Sequence, residues 1–487
     1  MKVGIRKAKR LELLSRDELE AIHKSSLNIL EEIGVKIYSD KALEILQNSG
    51  VQVDRDKRVV TFPSYLVEEA LRKCPKTVKL GARNPKLDVT LDGRHIVGTT
   101  DGAGTSTIDL ESGERRLPTK EDVAKTAIIA DSLDYINMYY TCVTPMEVSK
   151  SIHILHEYDA AVNNTEKHFV SGATDQPEAA SYLIKMAAAV VGGEEQLRKR
   201  PVVSSVACMA SPLIVPAEAI EPSIEFGKFG LPVEIMTMPI AGANGPITVA
   251  GSVLVGNAQF LAGNTIIQMA NPGAPIMYAS YPLSMDLKTG AFSVAFPEAT
   301  LITVGHIQMA KYYGLPSYGG GTISSSKVPD EHAAYEKATN AFLCTLAGSD
   351  VCGTIGLLEN YSVLSYEQML IDYEMYTMML KMIEGISVND DTLALDVIRK
   401  VGQEGHFLAE KHTLLHSRES WVPMLTDARP YPTWKEAGAK TVVERAREKV
   451  KEILKTHKPE PLDTNVREKL TTIIKNAEKN TPTQVNK

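Results

Sequence analysis

The feature that most narrows what this chain can fold into is an alternation between residues 95 and 365. Eight short, β-rich apolar runs each end in small or polar residues: HIVGTTDGAG, INMYYTCVTP, KHFVSGATD, PVVSSVACMASP, PVEIMTMPIAGANGP, PIMYASYPLSMD, PSYGGGTIS and VCGTIGLLEN. Helix-length segments separate them at 121–133, 152–163, 177–191, 216–229, 249–269, 297–313 and 330–346, and another follows at 366–383. Eight βα units predict an α/β chain whose strands close into a (β/α)8 TIM barrel. An open doubly wound sheet is the alternative. The count of eight favours the barrel. So do the small and polar residues at the strands' C-terminal ends, where a barrel carries its active site.

The flanks read differently. Residues 1–94 are expected to be helices and β-hairpins packed on a barrel spanning 95–385, with 386–487 a helical extension. The first 75 residues read as helices. Ser15 and Glu18 have the spacing of a capping box, Gly34 breaks the first apolar run, and a second amphipathic run ends near Gly50. Within 77–118, Asn84-Pro85, Asp92-Gly93 and Ser112-Gly113 punctuate short strands. After 385 the chain is helical and charged. KTVVERAREKVKEILKTH reads as a solvent-exposed amphipathic helix, and TTIIKNAEKNTPTQVNK as a frayed tail.

Composition excludes several function classes. Hydrophobic residues make up 44% and charged residues 23% of the 487, which is globular rather than disordered or fibrous. The 53 basic residues are outnumbered by 60 acidic ones, for a net charge of −7, and no long basic run is present. Neither nucleic acid nor an anionic membrane is therefore an expected partner. No apolar run reaches the roughly 18 residues of a transmembrane helix, and the basic start lacks a secretory apolar region. Five scattered cysteines, an odd number, point to reduced thiols, and the expected location is the cytoplasm.

Motifs for nucleotide phosphates, zinc proteolysis and the nucleophile elbow are absent. His153/His156 and His412/His416 have helical spacing but no Cys or carboxylate at a fixed zinc-like distance, so both pairs read as ordinary helix histidines and no metal is expected. Asp101, followed by Gly102 and Gly104, has two readings: a carboxylate facing a pocket, or an Asp-Gly turn. Gly319, Gly320 and Gly321 inside a buried strand imply either the close approach of a ligand or tight packing. Tyrosine is abundant, 18 against 9 Phe and 2 Trp. Tyr139, Tyr140, Tyr278, Tyr281, Tyr318 and Tyr361 lie at or near strand ends, with Asp101, Asp286 and Glu359 close in sequence to the same ends. Aromatic faces beside carboxylates suit a cation, above all a quaternary ammonium. Packing of tyrosines with their hydroxyls at a barrel rim is the alternative.

Three runs carry a family resemblance: GLPSYGGGTISSSKVPDEHAAYEKA (314–338), TTDGAGTSTIDLESGERRLPTKEDV (99–123) and NPGAPIMYASYP (271–282). Together they resemble the trimethylamine methyltransferase family over nearly the whole chain. The resemblance implies a TIM barrel that moves a methyl group from a methylated amine to the Co(I) corrinoid of a small partner protein. It also implies a homo-oligomer, and no cofactor held tightly by this chain itself. Founding members carry pyrrolysine in the segment that here reads Lys327-Val328-Pro329-Asp330-Glu331-His332, placed at or beside Glu331. An ordinary residue there resembles the non-pyrrolysine branch, some of whose members use glycine betaine or related quaternary amines. On this reading Asp101, Glu331 and Glu359 are the expected catalytic carboxylates. Tyr139, Tyr278 and Tyr318 supply aromatic faces, Gly319 and Gly320 permit approach, and Ser280, His332 and Asn360 read the far end of the substrate. Arg115 and Arg116 are expected to be solvated. The alternatives are trimethylamine itself as substrate, a barrel lyase or aldolase using Lys327, and a binding module for osmolytes.

Overall fold

The computed structural model describes residues 1–6, 9–102, 104–172 and 177–480. Eight parallel strands form its centre: β1 (His95–Thr100), β2 (Ile136–Tyr140), β3 (His168–Ser171), β4 (Val203–Met209), β5 (Val233–Thr237), β6 (Ile276–Ser280), β7 (Ser317–Gly321) and β8 (Val351–Ile355). Each pairs with the next, and β8 pairs with β1 through Val351–Val97, Cys352–Gly98 and Ile355–Thr100, so the sheet has no open seam. The barrel expected from the alternation is present, and the open sheet is excluded. Of the expected strand ends, Ala103 and residues 173–175 lie outside the described residues.

Eight helices surround the strands: α1 (Lys120–Ser132), α2 (His153–Val162), α3 (Pro177–Val191), α4 (Ala217–Lys228), α5 (Val249–Ala270), α6 (Pro297–Tyr312), α7 (Glu331–Ala347) and α8 (Tyr366–Ile383). Their starts follow local chemistry. The Asp330 side chain accepts from the Ala333 amide to begin α7, and the Ser365 hydroxyl accepts from the Gln368 amide to begin α8.

The flanking segments cover faces that the barrel helices cannot keep dry alone. α5 reads VAGSVLVGNAQFLAGNTIIQMA, without one charged side chain, and is packed by the helices Arg16–Asn28 and Ser64–Lys73. Ser15 caps the first of these in a reciprocal box with Glu18, and Gly34 (φ +74°) ends the turn that follows it. The N-terminal region is not wholly helical, however. Val35–Ile37, Val53–Asp54 and Val59–Val60 form a small sheet with Ile214–Val215, because β-branched residues alternate there over a half-buried surface. The tail also differs from expectation. Thr464–Asn480 is a helix that buries Leu470, Ile474 and Ala477 and packs on α3. An apolar residue every three to four positions is enough to dock it; residues 481–487 lie outside the described residues. Val442–Thr456 is amphipathic as expected, with Ala446, Val450 and Ile453 buried against α8 and α1.

No helix among the described residues is long and apolar enough to cross a membrane.

Candidate active site

Strand alternation divides the barrel residues into two sets. Ile96, Tyr139, Val233, Ile235, Ile276 and Tyr278 join the apolar layer between strands and helices. Val97, Met138, Tyr140, Val206, Met236, Met277, Ala279, Tyr281 and Tyr318 form a separate interior cluster, floored by Val78, Leu80, Val89 and Leu91. Those floor residues belong to the hairpin Val78–Leu80/Val89–Leu91. The opposite end of the interior, at the strands' C-terminal ends, is where the chemistry-bearing groups collect.

Asp101 follows β1 and is buried. Burial pushes its carboxyl up to about 7, against the Gly102 amide and the Tyr281 and Thr354 hydroxyls, which favour the charged form. The Gly102 amide donates to Asp101 Oδ1 at 2.7 Å. A Cβ on Gly102 would stand 2.7 Å from the Tyr140 ring, so this glycine lets the ring lie against the Asp101 turn. Tyr281 is in edge-to-face contact with both Tyr318 and Tyr361, with centroids 5.5 Å apart in each case. The Tyr281 hydroxyl lies 3.2 Å from Thr354 Oγ1. The Tyr318 and Tyr361 hydroxyls are buried with no hydrogen-bond partner among the described residues. Burial holds all four phenols, Tyr140 included, well above their ordinary range, so they are neutral.

Deeper in the interior, at the start of β5 and on the floor side of the mouth, Glu234 is a second buried carboxyl. It accepts from Ser204 Oγ at 3.2 Å, and Ser204 lies 3.1 Å from His168 Nε2. Its other oxygen has no partner among the described residues. Burial pushes Glu234 up to about 8, with the Asp101 charge adding to the shift, so at neutral pH it is mostly an uncharged acid. The thiol of half-buried Cys208 is pushed up to about 12 by desolvation and is no nucleophile at neutral pH.

The backbone around the mouth is strained. Thr354 has φ +70° at the end of β8, an outlier for a β-branched residue, and Glu359, Asn360 and Tyr361 have φ of 47°, 52° and 72°. The β8–β1 register is irregular between Cys352 and Ile355, and the β7–β8 register between Tyr318 and Gly321. Bulges at a barrel rim re-aim side chains, and strain of roughly 1–3 kcal/mol per residue persists where the surroundings enforce it. Here it turns Thr354 and Tyr361 toward Tyr281.

Of the residues expected from sequence, Asp101 and Tyr318 lie in this constellation. Tyr139 and Tyr278 do not, because they sit on the outward face of their strands. The Tyr139 hydroxyl donates to the Val123 carbonyl beneath α1, and Tyr278 stacks on Phe260 of α5 at 3.9 Å. Ser280 also faces outward, 2.6 Å from His306 Nδ1. The three glycines are accounted for by packing. A Cβ on Gly319 would press on Thr303 of α6, one on Gly320 (φ +69°) would overlap Cys344 of α7, and one on Gly321 would overlap the Gly353 carbonyl.

The remaining candidates lie on surrounding loops and helix starts. Glu331 is exposed in the first turn of α7, and His332 pairs with Glu336 at 2.9 Å. Glu359 pairs with Arg115 at 2.6 Å. Asn360 accepts from the Val294 amide and donates to the Phe292 carbonyl. Asp286 turns the hairpin at Lys288 and Thr289. Arg116 is not solvated as expected; it is ion-paired to Asp109 and to buried Asp122.

Glu234 and Thr354 escaped the sequence reading. A lone charge in the apolar run PVEIMTM was the available signal for Glu234; nothing local marked Thr354.

Comparison with known proteins gives the family. The family model described as trimethylamine methyltransferase (MTTB) matches residues 1–482. The chain belongs to that family. It is 39% identical to trimethylamine methyltransferase MttB of Desulfitobacterium hafniense over 95% of this chain and 93% of the relative. It is 32% identical to the glycine betaine methyltransferase of the same species over 95% and 96% of the two chains. Trimethylamine methyltransferase MttB of Methanosarcina barkeri is 32% identical over 96% of each chain. Among solved structures, the monomethylamine methyltransferase MtmB of Methanosarcina barkeri superposes with a TM-score of 0.54 at 10% identity, covering 92% of this chain and 88% of that one, a likeness of fold. Family membership makes the chain a methyltransferase enzyme.

Proposed function

We propose that this enzyme takes a methyl group from a quaternary amine, of the glycine betaine kind, and delivers it to the corrinoid of a partner protein. The observation that carries the reading is the ring of Tyr140, Tyr281, Tyr318 and Tyr361 around a buried Asp101 at the barrel mouth. Neutral phenol rings hold a fixed cation through their faces at about 0.5–2 kcal/mol each, more where water is excluded. One carboxylate then balances its charge.

The absence of pyrrolysine from the chain supports the same substrate class. A quaternary ammonium departs as a neutral amine, so its methyl carbon needs no proton donor and no special adduct. The Co(I) of the partner's corrinoid supplies the nucleophile. This chain's residues bind the cation, aim one methyl out of the barrel mouth and exclude water, which is catalysis by positioning. Neutral Glu234, deeper in the interior, adds no second negative charge to that of Asp101.

The test is corrinoid methylation, followed by absorbance, across a panel of amines with the partner corrinoid protein supplied. At least one quaternary amine should react faster than trimethylamine. Trimethylamine turnover equal to or above every quaternary amine overturns the reading.

A further inference from the structure

Residues 384–424 do not contain one buried side chain. They are nevertheless folded into short helices at Asp390–Leu393, Leu395–Val401 and Lys411–His416, with Leu395, Leu408, Leu414 and Leu415 exposed. A segment of this length without a core needs a staple of another kind, and a bound metal is one.

The segment carries a ligand set for one. His412 and His416 stand one turn apart on the same helix, their ring centroids 4.2 Å from each other. The fold brings Asp391 to them from 21 residues upstream, with its Oδ2 3.3 Å from His416 Nε2. One ligand atom from each of the three residues lies within 4.8 Å of the other two. Tetrahedral zinc with bonds of about 2.0–2.1 Å needs ligand atoms roughly 3.4 Å apart, so a small closure completes the site. The other nitrogen of His416 lies 2.7 Å from Glu419 Oε1. A carboxylate behind a ligand imidazole fixes its tautomer and raises its basicity. His412 Nε2 stands 3.0 Å from the Asp391 carbonyl oxygen, which ties the two short helices together at the same point.

We infer that Asp391, His412 and His416 form a zinc site, separate from the barrel mouth, that staples the 384–424 segment. The donor set of two imidazoles and one carboxylate suits Zn²⁺ among divalent ions, with water as the fourth ligand. The sequence expectation of two ordinary histidines lacked the carboxylate, which only the turn between the helices supplies.

The experiment uses the untagged full chain, stripped with chelator, dialysed against Zn²⁺ and then assayed for metal content and zinc affinity. One zinc per chain is expected. His412→Gln, His416→Gln and Asp391→Asn should each weaken binding about tenfold or more. Zinc should slow tryptic cleavage after Lys400, Lys411 and Arg418 in the wild type and not in the His412→Gln/His416→Gln double variant. Circular dichroism checks that this double variant keeps its fold. No stoichiometric zinc in the wild type, or unchanged stoichiometry and affinity in the folded double variant, overturns the assignment.

Discussion

At the scale of the residue, one step along a strand decides which side of the barrel wall a side chain faces. Tyr139 and Tyr140 are neighbours, yet the first hydrogen-bonds beneath α1 and the second faces Asp101. On the proposed function, Tyr318→Leu should raise KM for the quaternary amine about 2- to 30-fold, the worth of one cation–π face. Tyr139→Phe should leave KM unchanged and lower stability by about 1 kcal/mol through its lost hydrogen bond. Steady-state kinetics and urea titration of both variants check the contrast, and equal KM effects would contradict the inward and outward assignment.

Asp101 makes a second residue-scale prediction. Burial pushes its carboxyl up to about 7, and a fixed cation binds its charged form better. KM for a quaternary amine should fall as pH rises through about 7. Asp101→Asn should raise KM about tenfold or more and remove that dependence, because a quaternary substrate does not itself titrate.

At the scale of the element, the strained ends of β7 and β8 have an identifiable support. Lys337 of α7 is fully buried and donates to the Thr322 and Leu357 carbonyls and to Asp372 of α8 at 2.9 Å. Asp372 in turn accepts from the Gly356 amide. This ion pair clamps the chain after both strands, where the left-handed residues begin. Lys337→Met should cost about 3–5 kcal/mol by leaving Asp372 charged and unpaired in the interior. Lys337→Met with Asp372→Leu should recover part of that loss. Denaturant midpoints for the two variants measure it, and a single variant as stable as wild type would remove the clamp from the account.

At the scale of the whole molecule, two buried acids set a pH dependence of folding. Glu234 is raised from 4.5 to about 8 and Asp101 from 3.8 to about 7. A raised acid binds its proton more tightly folded than unfolded, so its contribution is complete below the unfolded pKa and is lost as pH rises through the folded one. Stability should decline between about pH 4 and pH 8 on their account. Glu234→Gln should flatten that decline, as read from urea midpoints at a series of pH values. A decline as steep in the variant would show that Glu234 is not its source.

Much of this molecule was legible along the chain. Eight apolar runs of strand length separated by amphipathic segments determined a closed barrel, because that alternation leaves a parallel sheet needing helices on its outer face. The Ser15–Glu18 box, the Gly34 stop and Asp101 at the end of β1 were equally local, since each depends on residues a few positions apart. The family itself was written in contiguous runs. What the sequence could not decide was direction. Tyr139, Tyr278 and Ser280 belong to buried strands, where apolar residues fill both faces and the period-2 signal vanishes. Gly320 was open to a ligand or a neighbour until Cys344 of α7 was seen to fill the space above it. Glu234 feeling the Asp101 charge, Thr354 turned toward Tyr281, and Asp391 beside His412 and His416 are relations between distant or separately folded segments. Only the tertiary structure could make them, because each depends on barrel closure or a helix–helix turn and not on spacing along the chain.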